Sequence, residues 1–244
     1  MKILAIETSG PVAGCAVLED DILQAEFSVQ FKKKHSQSLV PMMEEVRKIL
    51  EMDLKTVDAI ALSGGPGSFT GLRIGAATAK GVGLALDRPL IPVPTVDSLA
   101  FNLYGTEALV CPIMDARRSQ VYTGIYDLKE GLKVLRSQCV VPLSEIAADL
   151  NERGREVIFL GDGVPACEKA LKDLMKVPYS FAPAHLSRQR AAAVAALAMK
   201  YYREKGDEAF TGADDFRPEY LRKTQAEQER GERRNYSLVG GEQK

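Results

Sequence analysis

Tryptophan is absent from the 244-residue chain, histidine occurs only at positions 35 and 185, and no two cysteines form a CxxC pair. Two histidines so far apart cannot supply HxxxH or HExxH, so no metal site is expected. Cys15, Cys111, Cys139 and Cys167 are widely spaced, and all but Cys167 lie in apolar, strand-like stretches. They read as small buried hydrophobes rather than as zinc or disulfide cysteines. An excess of one charge is also missing: 32 Lys+Arg face 33 Asp+Glu, which excludes a surface built throughout to hold polyanions. No apolar run approaches the roughly 18–20 residues of a membrane span, and Glu7 interrupts the first apolar stretch too early for a signal peptide. A cytoplasmic protein is expected. No GxSxG elbow is present, and no nucleophile has an evident base: His35 follows Lys32-Lys33-Lys34, which reads as a solvated helix entrance, and His185 stands in a Pro/Ala-rich stretch. No catalytic residue and no cofactor are assigned.

What is present is 45% apolar residues, enough for one large domain or two lobes with real cores. Residues 2–7 and 13–18 are apolar runs separated by Thr8-Ser9-Gly10-Pro11, which predicts a β-hairpin, and residues 24–31 alternate as a third strand. The pattern returns about 108 residues later: 108–114, the turn Ala116-Arg117-Arg118-Ser119, 121–126, then an alternating 132–141. Laid over one another, Asp115 falls on Glu7 and Asp127 on Glu19, which points to two similar lobes.

Leu39, Met42, Met43, Val46, Ile49 and Leu50 recur at helical spacing, with Ser36 or Ser38 as caps and Pro41 in the first turn. Residues 57–62 read as a buried strand, and 63–70 as a glycine loop entering a helix over 71–86. Helices are also predicted over 143–153, 165–175 and 188–204, with a strand at 156–160; Tyr220 and Leu221 should anchor the tail on the body. Gly71, Gly75, Ala79 and Gly83 fall on one face of the second helix. Each glycine in a helix interior costs about 1 kcal/mol relative to alanine, so close backbone packing must compensate, against this chain or a partner.

The glycine loop stands where backbone amides can hold an anion, but it lacks the lysine of a Walker A motif. The hairpin turns match the places where actin-like ATPases and sugar kinases hold phosphates. Thr8 and Ser9 partly fit that pattern. Arg117 and Arg118 do not, although guanidinium groups bind phosphate through their side chains. Thr8, Ser9, Arg117 and Arg118 are the candidate anion-binding residues.

Ile6-Glu7-Thr8-Ser9, His35-Ser36-Gln37-Ser38-Leu39-Val40-Pro41, the loop from Gly64-Gly65-Pro66-Gly67-Ser68-Phe69-Thr70 to Gly71-Leu72-Arg73-Ile74-Gly75, Pro94-Thr95-Val96-Asp97-Ser98-Leu99, Asp115-Ala116-Arg117-Arg118 and Pro218-Glu219-Tyr220-Leu221-Arg222 together resemble the TsaB (YeaZ) family. The resemblance implies an α/β, actin-like (ASKHA) fold of two ribonuclease-H-like lobes with mixed sheets flanked by helices. Its divisions would be 1–104, a reduced second lobe over 105–223, and a mobile charged tail over 224–244. It also implies a non-catalytic scaffold that pairs with TsaD, the subunit transferring threonylcarbamoyl to the adenosine next to the tRNA anticodon. TsaE with ATP would join the larger complex, TsaC or its relative would supply the donor, the chain alone would form a homodimer, and tRNA would be contacted at most indirectly. Thr95 and Leu99 stand where the catalytic sibling has the histidines of its HxxxH motif. Family pairing through the first lobe's two helices implies an interface of Leu39, Met42, Met43, Val46, Gly71, Gly75, Ala79 and Gly83. The competing reading is a stand-alone actin-like ATPase or kinase; a glycoprotein endopeptidase finds no support in these residues.

Overall fold

A computed structural model describes residues 1–30 and 35–222. Lys32–Lys34 and the proposed tail over 224–244 therefore lie outside the described residues. The chain opens with an antiparallel meander, β1 (Lys2–Glu7), β2 (Ala13–Glu19) and β3 (Ile22–Val29). It continues through α1 (His35–Ile49), β4 (Ala59–Gly65), α2 (Phe69–Leu86), β5 (Leu90–Pro94) and α3 (Thr95–Phe101). The second half repeats this order: β6 (Leu109–Asp115), β7 (Gln120–Asp127), β8 (Lys133–Pro142), α4 (Leu143–Arg153), β9 (Val157–Leu160), α5 (Val164–Leu174), β10 (Tyr179–Phe181) and α6 (Ala191–Lys205). The sheets run β3-β2-β1-β4-β5 and β8-β7-β6-β9-β10, with the last two strands of each parallel to its first. The duplication expected from two hairpins thus extends over whole lobes.

Side-chain alternation explains the packing, because successive strand residues face opposite sides. Ile3 and Ala5 in β1, with Ala16, Ala59, Ala61, Ile91 and Val93, meet α6. Leu4 faces the other way onto Met42 and Val46 of α1, and Ile6 onto Leu39 and Ala79. Both faces of the first sheet are covered, which is why its central strands read as continuous apolar runs. In the second sheet Cys111, Ile113 and Phe159 meet α4 and α5, while Val110, Met114 and Tyr126 meet Val96, Leu99 and Leu103 of α3 and its continuation. The last helix of each repeat therefore packs across the boundary: α6 on the first sheet, α3 on the second. Residues 191–216 cannot be assigned to a second lobe spanning 105–223, since Ala213 and Phe216 also join the first lobe's core.

The predicted interface needs correction. Leu39, Met42 and Val46 are buried under the chain's own sheet, and Met43 is half-buried among Ile74 and Val82 between α1 and α2. The stripe of α2 also faces inward. A Cβ on Gly71 would overlap the Thr8 carbonyl, one on Gly75 the Thr8 hydroxyl, and one on Gly83 would lie 3.0 Å from the Arg88 carbonyl oxygen; Ala79 is fully buried. The small residues serve in-chain packing, so the eight predicted positions do not form an outward surface. Ser36 and Ser38 lie inside the first turn of α1 rather than capping it, and Pro41 falls in its second turn. The cap of α2 is Ser68, whose side chain accepts from Gly71 N–H. Cys15 and Cys111 are buried free thiols, pushed up to about 12 by loss of solvent.

Two glycines of α2 test this assignment. Gly71→Ala should destabilise the fold by about 2 kcal/mol or more, because backbone must move to admit the methyl group. A Cβ at Gly81 meets nothing within 4 Å, so Gly81→Ala should stabilise by up to about 1 kcal/mol. Urea denaturation midpoints of both variants check the pair.

Candidate functional site

A cleft of about 610 Å³ lies between the β1–β2 and β6–β7 turns, with the start of α2 and residues 219–222 completing its walls. At the end of β1 the Glu7 carboxylate is fully buried. It accepts from the Ser9 amide at 2.6 Å, from the Ser9 hydroxyl at 2.5 Å and from the Ser63 hydroxyl. Burial raises the Glu7 carboxyl above its ordinary range, and the serine donors oppose that shift without overcoming it. Thr8 is buried, and its hydroxyl donates to the Gly71 carbonyl at 2.8 Å.

The four candidate anion-binding residues therefore divide. Thr8 points away from the cleft into the α2 contact; this corrects its assignment, and the reason is the close approach of Gly71. Ser9 lines the cleft with its hydroxyl engaged by Glu7. Arg117 and Arg118 both line it. They stand at consecutive left-handed positions, φ 61° and 52°, where the Arg117 amide donates to Asp115 Oδ1 at 2.7 Å.

The glycine loop is filled by the chain itself. Gly65 has φ +113°, and the Glu219 carbonyl occupies the space a Cβ would need. The amides of Gly65, Ser68 and Gly71 donate to Thr95 Oγ1 at 3.2 Å, the Ser9 carbonyl at 2.7 Å and Ser68 Oγ at 3.2 Å. These three amides already have acceptors within the chain.

Sequence reasoning missed Asp162, although Gly161-Asp162-Gly163 follows β9 where the glycine loop follows β4, so the repeat itself could have found it. Asp162 lines the cleft and accepts from Gln189 Nε2 at 3.1 Å; burial raises its carboxyl. It also missed Tyr122 and Arg222 as cleft residues. Behind the cleft, Thr95 and Leu99 are fully buried core positions. Between them Asp97 accepts from Tyr126 at 2.7 Å and from Tyr201 at 3.4 Å, joining α3, β7 and α6. Burial raises Asp97 and pushes the Tyr126 phenol well up.

A carboxyl raised on folding contributes stability that is full below its unfolded value and declines as pH rises through its folded value. Glu7→Gln removes that charge while keeping an acceptor for Ser9. Its urea midpoint relative to the unsubstituted chain should therefore improve as pH rises above the ordinary carboxylate range. A relative midpoint that fell as pH rose would show that the serine donors outweigh burial.

A family model described as TsaD, tRNA N6-adenosine threonylcarbamoyltransferase, matches residues 28–230. The chain is similar to the tRNA threonylcarbamoyladenosine biosynthesis protein TsaB of Bacillus subtilis, at 37% identity over 72% of this chain and 77% of that protein. Its similarity to the protein of the same name from Escherichia coli is 33% over 53% of this chain and 57% of that protein. Among solved structures, YeaZ from Pseudomonas aeruginosa aligns with a TM-score of 0.75 at 27% identity, covering 90% of this chain and 99% of that one. Component A of the (R)-2-hydroxyglutaryl-CoA dehydratase of Acidaminococcus fermentans aligns at 0.50 with 12% identity, over 83% and 99% of the two chains, a likeness of fold alone. With its two actin-like lobes and a relative matching over most of its length, the chain belongs to the TsaB (YeaZ) family.

Proposed function

We propose that this chain serves tRNA threonylcarbamoyladenosine biosynthesis as a non-catalytic partner of TsaD. Family membership supports the role in that biosynthesis. The observation that carries the pairing is a small-residue, apolar outer face on α2, opposite to its face buried in the core. Leu84 is 57% exposed, and beside it the exposed Ala77, Gly81 and Ala85 follow one another at four-residue intervals along α2. Gly81 has open space over it, so a partner helix can approach the backbone closely there. The cost of a glycine in mid-helix, unexplained within the chain, gains a reason.

The non-catalytic part of the reading is supported by what fills the site. The glycine loop is packed with Ser9 and Glu219 backbone, and the positions corresponding to the sibling's histidines are a core threonine and leucine. The chain would work in the cytoplasm, as a homodimer when alone, and with TsaE and ATP in the larger assembly. No described helix is long and apolar enough to cross a membrane.

Reconstitution tests the proposal. Threonylcarbamoyl transfer to tRNA by TsaC, TsaD, TsaE and ATP should require this chain, and the chain should not replace TsaD. Leu84→Glu, at an exposed site, should keep its thermal midpoint while losing at least tenfold in TsaD binding and in tRNA modification. Activity unchanged by omitting the chain would overturn the scaffold reading, and magnesium-dependent ATP turnover by the chain alone would favour the kinase or ATPase alternative.

A further inference from the structure

Beyond α6 the chain runs back over both lobes. Thr211 pairs with Leu90 at the edge of the first sheet, through hydrogen bonds of 2.9 and 2.8 Å, and Phe216 is buried beside α2. The next residues touch four separate elements. The Glu219 amide donates to the Gly64 carbonyl at 2.7 Å, while the Glu219 carboxylate accepts from Gln138 Nε2 of β8 at 2.7 Å. Tyr220 packs on Phe69 with ring centroids 5.0 Å apart and accepts from Arg73 Nε at 3.4 Å. Arg73 in turn lies over the Phe69 ring, 3.8 Å from its centroid. The Arg222 guanidinium donates to the carbonyls of Ala116 and Arg117 in the β6–β7 turn. Gly64, Phe69 and Arg73 belong to the first lobe, whose wall of the cleft Phe69 lines; Gln138, Ala116 and Arg117 belong to the second, whose wall Ala116 and Arg117 line.

We propose that residues 219–222 form a clasp that holds the two lobes at a fixed opening and keeps the glycine loop occupied by backbone. A segment bonded to both walls at the mouth of a cleft restrains their separation, since opening must break its contacts on one side. Contacts of this kind are partly exposed and individually weak, so the clasp can release without global unfolding. Release frees the Gly64 carbonyl and uncovers Gly65, and it removes the restraint on the turn carrying Arg117 and Arg118. The cleft would then widen, with its arginines no longer tied to the first lobe. This inference concerns the chain alone and stands whether or not it pairs with TsaD.

Hydrogen exchange measured by mass spectrometry on two single variants tests the clasp by its action across the cleft. Arg222→Ala removes contacts only on the second wall, yet should speed exchange at the amides of Gly65, Ser68 and Gly71 by at least about fivefold. Tyr220→Ala removes contacts only on the first wall, yet should speed exchange at Ala116, Arg117 and Gln120 by a similar factor. Amides of α4, β9 and α5 should not change in either variant, which also confirms that both remain folded. Arg222→Lys, keeping one donor, should fall between. Exchange accelerated only on the wall whose contact was removed, or on neither wall, would overturn the proposal.

Discussion

The turn after β1 and the first two turns of α2 touch through backbone atoms, and the geometry of the first lobe follows from that contact. Gly71 and Gly75 let the helix settle onto Thr8, whose hydroxyl donates to the Gly71 carbonyl. The same approach places Ser68 at the helix cap with its amide on the Ser9 carbonyl. The cleft wall is thereby set by main-chain contacts that no side-chain rotation can relax. Close packing of this kind tolerates little added volume, which accounts for glycines where helix propensity disfavours them.

The hairpins and the duplication could be read from sequence because period-2 patterning and turn residues are local signals. The short β5, with prolines at 92 and 94, and the three-residue β10 carry too few residues for a periodic signal, and α3 is barely two turns long. Four-residue spacing of small residues showed that α2 packs closely, but periodicity does not say toward what. The resemblance turned that stripe toward a partner, whereas the structure turns it onto β1. Arg117 and Arg118 were legible as cleft residues because they occupy the turn equivalent to Thr8 and Ser9. The direction of the Thr8 hydroxyl was not, since it depends on a carbonyl 63 residues away. Arg222 meets the Arg117 carbonyl across a separation of 105 residues, and no local pattern reports such a contact.

The cleft retains the shape of a ligand site while its polar groups serve the fold. Glu7 is held among serines in a dry environment, the glycine loop carries the chain's own carbonyl, and Asp97 ties phenols from the second sheet and the last helix into the seam between lobes. Buried polar groups with satisfied partners specify one arrangement over its alternatives. Hydrogen bonds of these groups thus fix the turns of the first lobe and, through Asp97, its relation to the second.

The exchange of last helices between repeats has a consequence for how the chain is made. The alanines of β1, β2 and β4 that meet α6 are synthesised long before residues 191–205 leave the ribosome. Until then one face of the first sheet has no cover, although its five strands are already complete in the nascent chain. Domains usually fold in order as they emerge. Here the first lobe must wait for residues 191–205, so the two lobes mature as one unit.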